Sequence, residues 1–173
     1  VKDTKTVLGI IPLGTGNLLA RNLTIPLDPA EAMKIALFGN PRKIDLGVAN
    51  GTFFSLIAGI GMDAEVMTKA RRELKDVLGV FAYVLTALRT LGTASSRFTI
   101  RLDKKKSFTV RAKTVMAANM GKFTQAVEIV PLTDPQSGTL QLGVLKARTL
   151  LSWINIAFHA LTGRVDKSPH YDV

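Results

Sequence analysis

The sequence of 173 residues contains no cysteine and only two histidines. These absences exclude disulfide bonds, cysteine nucleophiles and metal sites built on thiolates, and they fit a cytosolic protein. No uninterrupted apolar run reaches the roughly 18 residues that a membrane-spanning helix requires. The chain begins at Val1 and shows no signal peptide, so we predict a cytoplasmic location.

Acidic residues are also scarce, because 13 Asp and Glu oppose 23 Lys and Arg, which gives a formal charge of +10. A surplus of this size on a small chain favours anionic partners such as phosphorylated ligands, acidic lipid or nucleic acid. The 47% of hydrophobic residues are enough for a packed core, so wholesale disorder is excluded.

More than half of the charge surplus lies between residues 97 and 113, where one acidic residue, Asp103, opposes seven basic ones. Apolar residues alternate with polar ones at 98–102 and 108–112, which predicts two strands joined by a turn at 103–106. This segment is either an ordinary solvated strand face or a surface that attaches to anionic membrane, while the shortage of interleaved aromatic residues argues against nucleic acid. The seven basic residues are Arg97, Arg101, Lys104, Lys105, Lys106, Arg111 and Lys113.

Residues 1–42 have the pattern of the end of an α/β domain. Val7 to Ile11 predicts a strand buried on both faces, and a helix is expected to begin at Leu18. A second helix is expected to begin with Asp28 as the N-cap and Pro29 at its first position, with Glu31 reaching back to the cap, and to end at Gly39.

Residues 43–173 predict a mainly antiparallel β region with inserted helices. Two strands are expected around Asn50-Gly51, followed by a long helix over about 63–91 and then by the basic hairpin. Further strands are expected over 115–118 and 140–144, and a last helix over 150–161. Residues 167–173 show no partner element. With so few strands the β region looks incomplete, so we expect the chain to be part of a larger protein.

The turn Gly14-Thr15-Gly16-Asn17, between a predicted strand and a predicted helix, has the form of a phosphate-binding loop. Glycines let the backbone approach an anion closely, and Thr15 adds a hydroxyl donor. A plain strand-to-helix connection remains the alternative, because Leu19 stands where a dinucleotide fingerprint needs glycine and no Walker lysine follows.

Other candidate ligands are isolated. The two histidines, His159 and His170, belong to no metal-ligating cluster. Four aspartates could donate oxygen to a hard cation, although lone aspartates are usually helix caps or turn residues. They are Asp45, Asp63, Asp134 and Asp166.

Six ordered segments resemble the diacylglycerol kinase catalytic family, which includes bacterial lipid kinases and sphingosine kinases. The segment Ile11–Asn17 is similar to the family's proline-leucine-glycine-threonine-glycine-asparagine block. The others are residues 44–47, 58–64, 79–83, 119–121 and 129–131. The resemblance implies an α/β nucleotide-binding domain over residues 1–42 and a largely antiparallel β-sandwich domain over 43–173, both incomplete.

The resemblance also implies an ATP-dependent kinase of phospholipid metabolism that phosphorylates a lipid hydroxyl. The basic residues between 97 and 113 would suit such an enzyme in peripheral contact with an anionic membrane. Thr15 would contact the nucleotide phosphates, flanked by Gly14, Gly16 and Asn17. The family's glycine-rich nucleotide loop is expected before residue 1 and its catalytic base after residue 173. We therefore predict no catalytic residue within the chain and no activity for the chain alone.

The resemblance implies a Mg²⁺ site as well, but this sequence departs from the family pattern there. An aspartate-glycine pair is expected a few residues after Pro131, and the chain has Ser137-Gly138. We predict Asp134 and Ser137 as the ligands, with Asp134 substituting for the missing carboxylate. A non-catalytic membrane-binding module and a soluble kinase resembling NAD kinases remain the alternatives. The acceptor lipid and homo-oligomer formation are left open.

Overall fold

The computed structural model describes residues 2, 4–61, 95–123, 127–147, 149–162 and 164–172. The predicted helix over 63–91 lies outside these residues. The described elements are α1 (Leu18–Asn22), α2 (Pro29–Phe38), β1 (Gly47–Ala49), β2 (Thr52–Phe54), β3 (Ile57–Gly61), β4 (Ser96–Ile100), β5 (Phe108–Ala112), β6 (Thr114–Ala118), β7 (Gln141–Leu145), α3 (Leu150–Leu161), a 3₁₀ turn (Val165–Lys167) and β8 (Tyr171–Asp172).

Helix α2 begins and ends where its capping residues predict. The Asp28 carboxylate accepts the backbone N–H of Glu31 at 2.9 Å, and Pro29 occupies the first helical position. The Glu31 carboxylate, expected to reach back to the cap, pairs with Lys34 at 2.7 Å. The last turn is closed by the Gly39 N–H, which donates to Ile35 O at 2.8 Å.

The predicted strand from Val7 to Ile11 is wrong. These residues have no regular secondary structure, and the side chains of Val7 and Leu8 are 63% and 62% exposed. A strand requires a neighbour that pairs with its backbone, and none of the described strands is hydrogen-bonded to this segment. Local apolar content was therefore insufficient to predict a strand here.

The hairpin around Asn50-Gly51 is confirmed but shorter than predicted. Both turn residues have positive φ, 49° and 77°, which is the conformation that a two-residue hairpin loop needs. Only Gly47–Ala49 pairs with Thr52–Phe54. The predicted second strand is divided, because Ile57–Gly61 leaves this hairpin and joins the main sheet.

The main sheet has four antiparallel strands in the order β3-β6-β7-β8, and each of its faces is covered. On one face Met116, Ala118 and Leu145 pack with Ile156 of α3. On the other face Val144 packs with apolar residues of the β4–β5 hairpin, chiefly Ile100 and Ala112. This alternation produces a layered β structure with a helix on one side, in agreement with the predicted β-sandwich domain. Among the described residues, no helix combines the length and apolarity that crossing a bilayer demands.

The tail at residues 167–173, for which no partner element was predicted, pairs with the main sheet. Tyr171 and Asp172 form β8, which pairs with the end of β7. The Tyr171 side chain is 3% exposed, and its hydroxyl donates to Ile129 O at 2.6 Å. A Cβ at Gly143 would collide with the Tyr171 hydroxyl, so the glycine makes room for the ring.

The predicted basic hairpin is confirmed, with one correction. Ser96–Ile100 pairs with Phe108–Ala112, and Asp103 adopts a positive φ of 50° in the turn. Lys113, however, is only 4% exposed. It lies at the corner where the chain passes from β5 to β6, and its N–H donates to Leu145 O at 2.8 Å. Burial lowers the pKa of Lys113, and this residue does not belong to the exposed basic face.

Candidate functional site

The loop Gly14-Thr15-Gly16-Asn17 is closed by the side chain of its last residue. The Asn17 carboxamide accepts the Gly14 N–H at 2.9 Å and donates to Pro12 O at 3.4 Å. Asn17 itself adopts a left-handed conformation with φ of 48°, which asparagine tolerates better than most residues. The loop is therefore held in shape by its own residues before any ligand arrives.

The outer side of the loop is open. Gly14, Thr15 and Gly16 are exposed, and the backbone N–H groups of Thr15 and Gly16 bond to no described residue. A Cβ at Gly16 would approach only Leu18 Cγ, at 3.8 Å, so packing within the chain does not require glycine there. The glycine instead leaves the backbone accessible to an external acceptor.

Arg21 adds positive charge beside these amides and was not predicted as a site residue. Its Nε donates to Gly16 O at 2.9 Å, which holds the guanidinium next to the loop. Helix α1 is only five residues long, so its dipole contributes little at this position. The donors available for an anion are therefore the loop amides, the Thr15 hydroxyl and the remaining guanidinium N–H groups.

Asn22, at the end of α1, joins the loop segment to the sheet. Its Nδ2 donates to Lys122 O at 2.7 Å, and its Oδ1 accepts the Lys122 N–H at 3.0 Å. The carboxamide thus satisfies both backbone groups of one residue, as a neighbouring strand would. The loop is thereby tethered to the segment that follows β6.

Asp45 lies against the turn 134–138, where the metal ligands were predicted. Its N–H donates to Pro135 O at 2.6 Å, and its carboxylate accepts the Gly138 N–H at 2.7 Å. From the other side, Asn119 Nδ2 donates to Asp45 O at 2.8 Å. The structure therefore brings Asp45, Asn119 and this turn together. Asp45 was a candidate cation ligand, whereas Asn119 was not predicted as a site residue.

Asn119 is fully buried and positions two segments at once. Its Nδ2 also donates to Ser55 O at 3.1 Å, while its Oδ1 has no hydrogen-bond partner among the described residues. Two residues later, the Gly121 N–H donates to Thr133 Oγ1 at 2.9 Å, and a Cβ at Gly121 would collide with Val130 O. The 119–121 segment is therefore fixed against both the hairpin flank and the turn.

The residues of the turn do not fit Mg²⁺ as this chain arranges them. The Ser137 hydroxyl donates to Asp134 O at 2.8 Å and lies 2.9 Å from Thr139 Oγ1, while Asp134 Oδ1 accepts the Gln136 N–H at 2.9 Å. The described part of the chain holds no group of three or more His, Cys, Asp or Glu side chains that could bind a metal. Ligation of Mg²⁺ by Asp134 and Ser137 remains a prediction that these contacts do not support.

The two histidines do not form a site within the described structure. His159 is half-buried in α3, and its Nδ1 has no hydrogen-bond partner. His170 precedes β8, where its carbonyl accepts the Lys146 N–H at 2.9 Å. Both positions are explained by packing and strand pairing.

Comparison with known proteins identifies related sequences over nearly the whole chain. Residues 1–49 match the diacylglycerol kinase catalytic domain, and residues 56–171 match the YegS C-terminal NAD kinase beta sandwich-like domain. A diacylglycerol kinase of Bacillus subtilis strain 168 is 31% identical over 172 residues, which cover 97% of this chain and 56% of that protein. A Pseudomonas aeruginosa PAO1 protein, provisionally assigned as a YegS-like lipid kinase, is 46% identical over 81 residues, 47% of this chain and 26% of its own length.

Comparison with solved structures points to the same family as the related sequences. The crystal structure of a Bacillus anthracis str. Sterne protein, provisionally assigned as a diacylglycerol kinase, superposes with a TM-score of 0.71 at 28% identity. The match covers 96% of this chain and 55% of that one, so the chain spans little more than half the length of these Bacillus proteins. The chain therefore belongs to the diacylglycerol kinase catalytic family, with its YegS C-terminal NAD kinase beta sandwich-like domain over residues 56–171.

Proposed function

We propose that the protein containing this chain transfers the γ-phosphoryl group of ATP to a lipid hydroxyl. The observation that carries the proposal is the succession, on one chain, of a diacylglycerol kinase catalytic segment and a YegS-type C-terminal domain. The relatives support a lipid as the acceptor, because they are described as a diacylglycerol kinase and a YegS-like lipid kinase.

The loop 14–17 is the part of this chain that we propose for ATP. The N–H groups of Thr15 and Gly16 and the Thr15 hydroxyl would donate to phosphate oxygens, and the Arg21 guanidinium would add a charge at the same edge. Phosphoryl transfer depends mainly on positioning and electrostatic stabilisation, so donors that are already fixed lower its barrier. The Asn17 carboxamide supplies that rigidity by closing the loop.

The substitution Thr15→Val tests this assignment in the whole protein. It removes one hydroxyl donor to a charged acceptor at nearly constant volume, so we expect the KM for ATP to rise about tenfold. The matched control is Thr52→Val, on the exposed face of β2, which is expected to leave KM unchanged. An unchanged KM for Thr15→Val would contradict the role of the loop.

The acceptor is identified by offering radiolabelled ATP with a diglyceride, a sphingoid base, undecaprenol or NAD. Labelled lipid supports the proposal, and labelled NAD without labelled lipid contradicts it. For residues 1–173 alone we expect no labelled product, because the family resemblance assigns the glycine-rich nucleotide loop and the catalytic base to other segments. Transfer by the isolated chain would overturn that expectation.

A further inference from the structure

The β4–β5 hairpin carries six exposed basic side chains that are not neutralised within the described structure. No ion pair joins any of them to an acidic side chain of the described residues. The strand register places Arg97 directly opposite Arg111, and like charges in opposite positions destabilise a sheet. The six are Arg97, Arg101, Lys104, Lys105, Lys106 and Arg111.

The tip of the same hairpin also exposes apolar side chains. The apolar face packs on the main sheet through Ile100 and Ala112, and the hairpin continues past this contact. Leu102 and Phe108, on either side of the turn, are consequently 40% and 46% exposed. Lysines and exposed apolar side chains therefore lie close together at the turn end of the hairpin.

We propose that this hairpin is a docking surface for an anionic lipid bilayer. The lysines at 104–106 lie among the headgroups, and Leu102 and Phe108 enter the boundary with the acyl chains. Nucleic acid fits less well, because base stacking needs several aromatic rings among the cations. Phe98 packs against the apolar cluster, and Phe108 is the one ring exposed among residues 96–112. The docking proposal rests on the proposed function in one respect: a lipid kinase must reach a substrate held in a membrane.

Vesicle co-sedimentation of the whole protein without nucleotide tests the docking directly. The vesicles contain phosphatidylglycerol and phosphatidylcholine, and the variant is the triple substitution Lys104→Ser, Lys105→Ser and Lys106→Ser in the exposed turn. We expect the partition coefficient to fall about 100-fold at low salt, since three basic residues leave the surface. The charge-matched control replaces three exposed basic residues elsewhere, Lys5, Arg164 and Lys167, with serine.

The control distinguishes docking by the hairpin from attraction by net charge. Equal losses in the two triple variants, or unchanged binding of the turn variant, overturn the proposal. A single-stranded oligonucleotide serves as a competitor. If it displaces the vesicles, and if its own binding falls equally in the turn variant, the surface binds nucleic acid and the docking proposal is overturned. The single substitution Leu102→Ser is expected to weaken vesicle binding several-fold even at high salt, where attraction between charges is screened.

Kinase assays separate this proposal from the proposed function. With substrate in neutral detergent micelles the turn variant is expected to keep its activity, and with substrate in anionic vesicles its activity is expected to fall. Equal activity in both settings contradicts docking and leaves the kinase assignment intact. Vesicle binding that depends on the turn, in a protein without kinase activity, supports docking and contradicts the proposed function.

Discussion

The Ser137 hydroxyl is one of several groups that hold the turn 134–138. The Ser137 side chain bonds within the turn, to Asp134 O and near Thr139 Oγ1, and the neighbouring Gly138 N–H bonds to the Asp45 carboxylate. These contacts engage the Ser137 hydroxyl and the Gly138 N–H within the chain. A carboxylate at position 137 would instead stand beside those of Asp134 and Asp45, which is the oxygen-rich setting that Mg²⁺ prefers.

We therefore expect Ser137→Asp to bind Mg²⁺ more tightly than the natural chain does, because it adds a carboxylate to the turn. Thermal unfolding of the variant should shift upward with added Mg²⁺, by about 1.4 kcal/mol of stability at ten times the dissociation constant. The control, Ser137→Ala, loses the hydroxyl without adding a ligand and should not respond. If the natural chain responds to Mg²⁺ and Ser137→Ala abolishes the response, Ser137 is a ligand as the sequence predicted.

The same residues show what could be predicted at this scale. The turn at 14–17 could be predicted because glycine, threonine and asparagine in succession favour a turn by their local conformational preferences. Its role in binding ATP stays a proposal. The contacts of Asp45 could not be found in this way, because its partners Asn119 and Gly138 lie 74 and 93 residues further along the chain. Contacts over such separations depend on the folded sheet, and no short motif encodes them.

At the scale of elements, the contact between α1 and the segment after β6 depends on one carboxamide. Asn22 makes two exposed hydrogen bonds to the backbone of Lys122. Each such bond contributes about 0.5–1.5 kcal/mol, so Asn22→Ala should lower the free energy of unfolding by about 1–2 kcal/mol in urea titrations. If the loop binds ATP, the same variant should also raise the KM for ATP, because the loop loses its tether to the sheet.

Two further variants test whether the hydrogen bonds to Lys122 cause the loss of stability in Asn22→Ala. Asn22→Asp keeps an acceptor for the Lys122 N–H but places a carboxylate oxygen beside the carbonyl oxygens of Lys122 and Leu18, so we expect it to lose at least as much stability as Asn22→Ala. Asn40→Ala removes an exposed asparagine for which the structure shows no hydrogen bond, and it should change nothing. Equal stability of Asn22→Ala and Asn40→Ala would show that the tether contributes no stability.

Elements with local signals were predicted correctly, and elements that depend on a distant partner were not. Asp28 caps α2 and Asn50-Gly51 forms the hairpin turn, because both features act within four residues. Strand alternation placed Lys113 on the basic face, but the chain bends there as it passes between two sheets. The tail was missed because β8 consists of two residues whose only signal is their pairing with β7.

At the scale of the whole molecule, β8 closes the main sheet and connects its edge to the segment before the 134–138 turn. Tyr171 carries this closure, with its ring packed in the core and its hydroxyl bonded to Ile129 O. Lys146 and Asp172 form an ion pair beside it. The pair is partly exposed and adds little, so the stability of this edge depends mainly on the buried tyrosine.

This dependence predicts a stability profile at alkaline pH. Burial raises the pKa of Tyr171 above its value of about 10 in an unfolded chain. Because the pKa of Tyr171 is raised in the folded state, its contribution to the free energy of unfolding is fully present below pH 10. This contribution is lost as the pH rises above 10. Lys113 acts in the opposite direction, because its lowered pKa makes the folded state more favourable as the pH approaches 10, so the two effects partly cancel in the natural chain.

The substitution Tyr171→Phe isolates the contribution of the tyrosine. At pH 7 we expect the variant to be less stable by about 1–2 kcal/mol, because Ile129 O loses its buried donor. Above pH 10 the natural chain can stay folded only if the Tyr171 phenol stays protonated, a requirement that the variant lacks. The extra free energy of unfolding of the natural chain should therefore shrink and then vanish. Urea titrations of both proteins from pH 7 to 11 measure this difference, and Lys113 affects them equally. A difference that stays constant over that range would show that the Tyr171 hydroxyl titrates alike in the folded and unfolded chains.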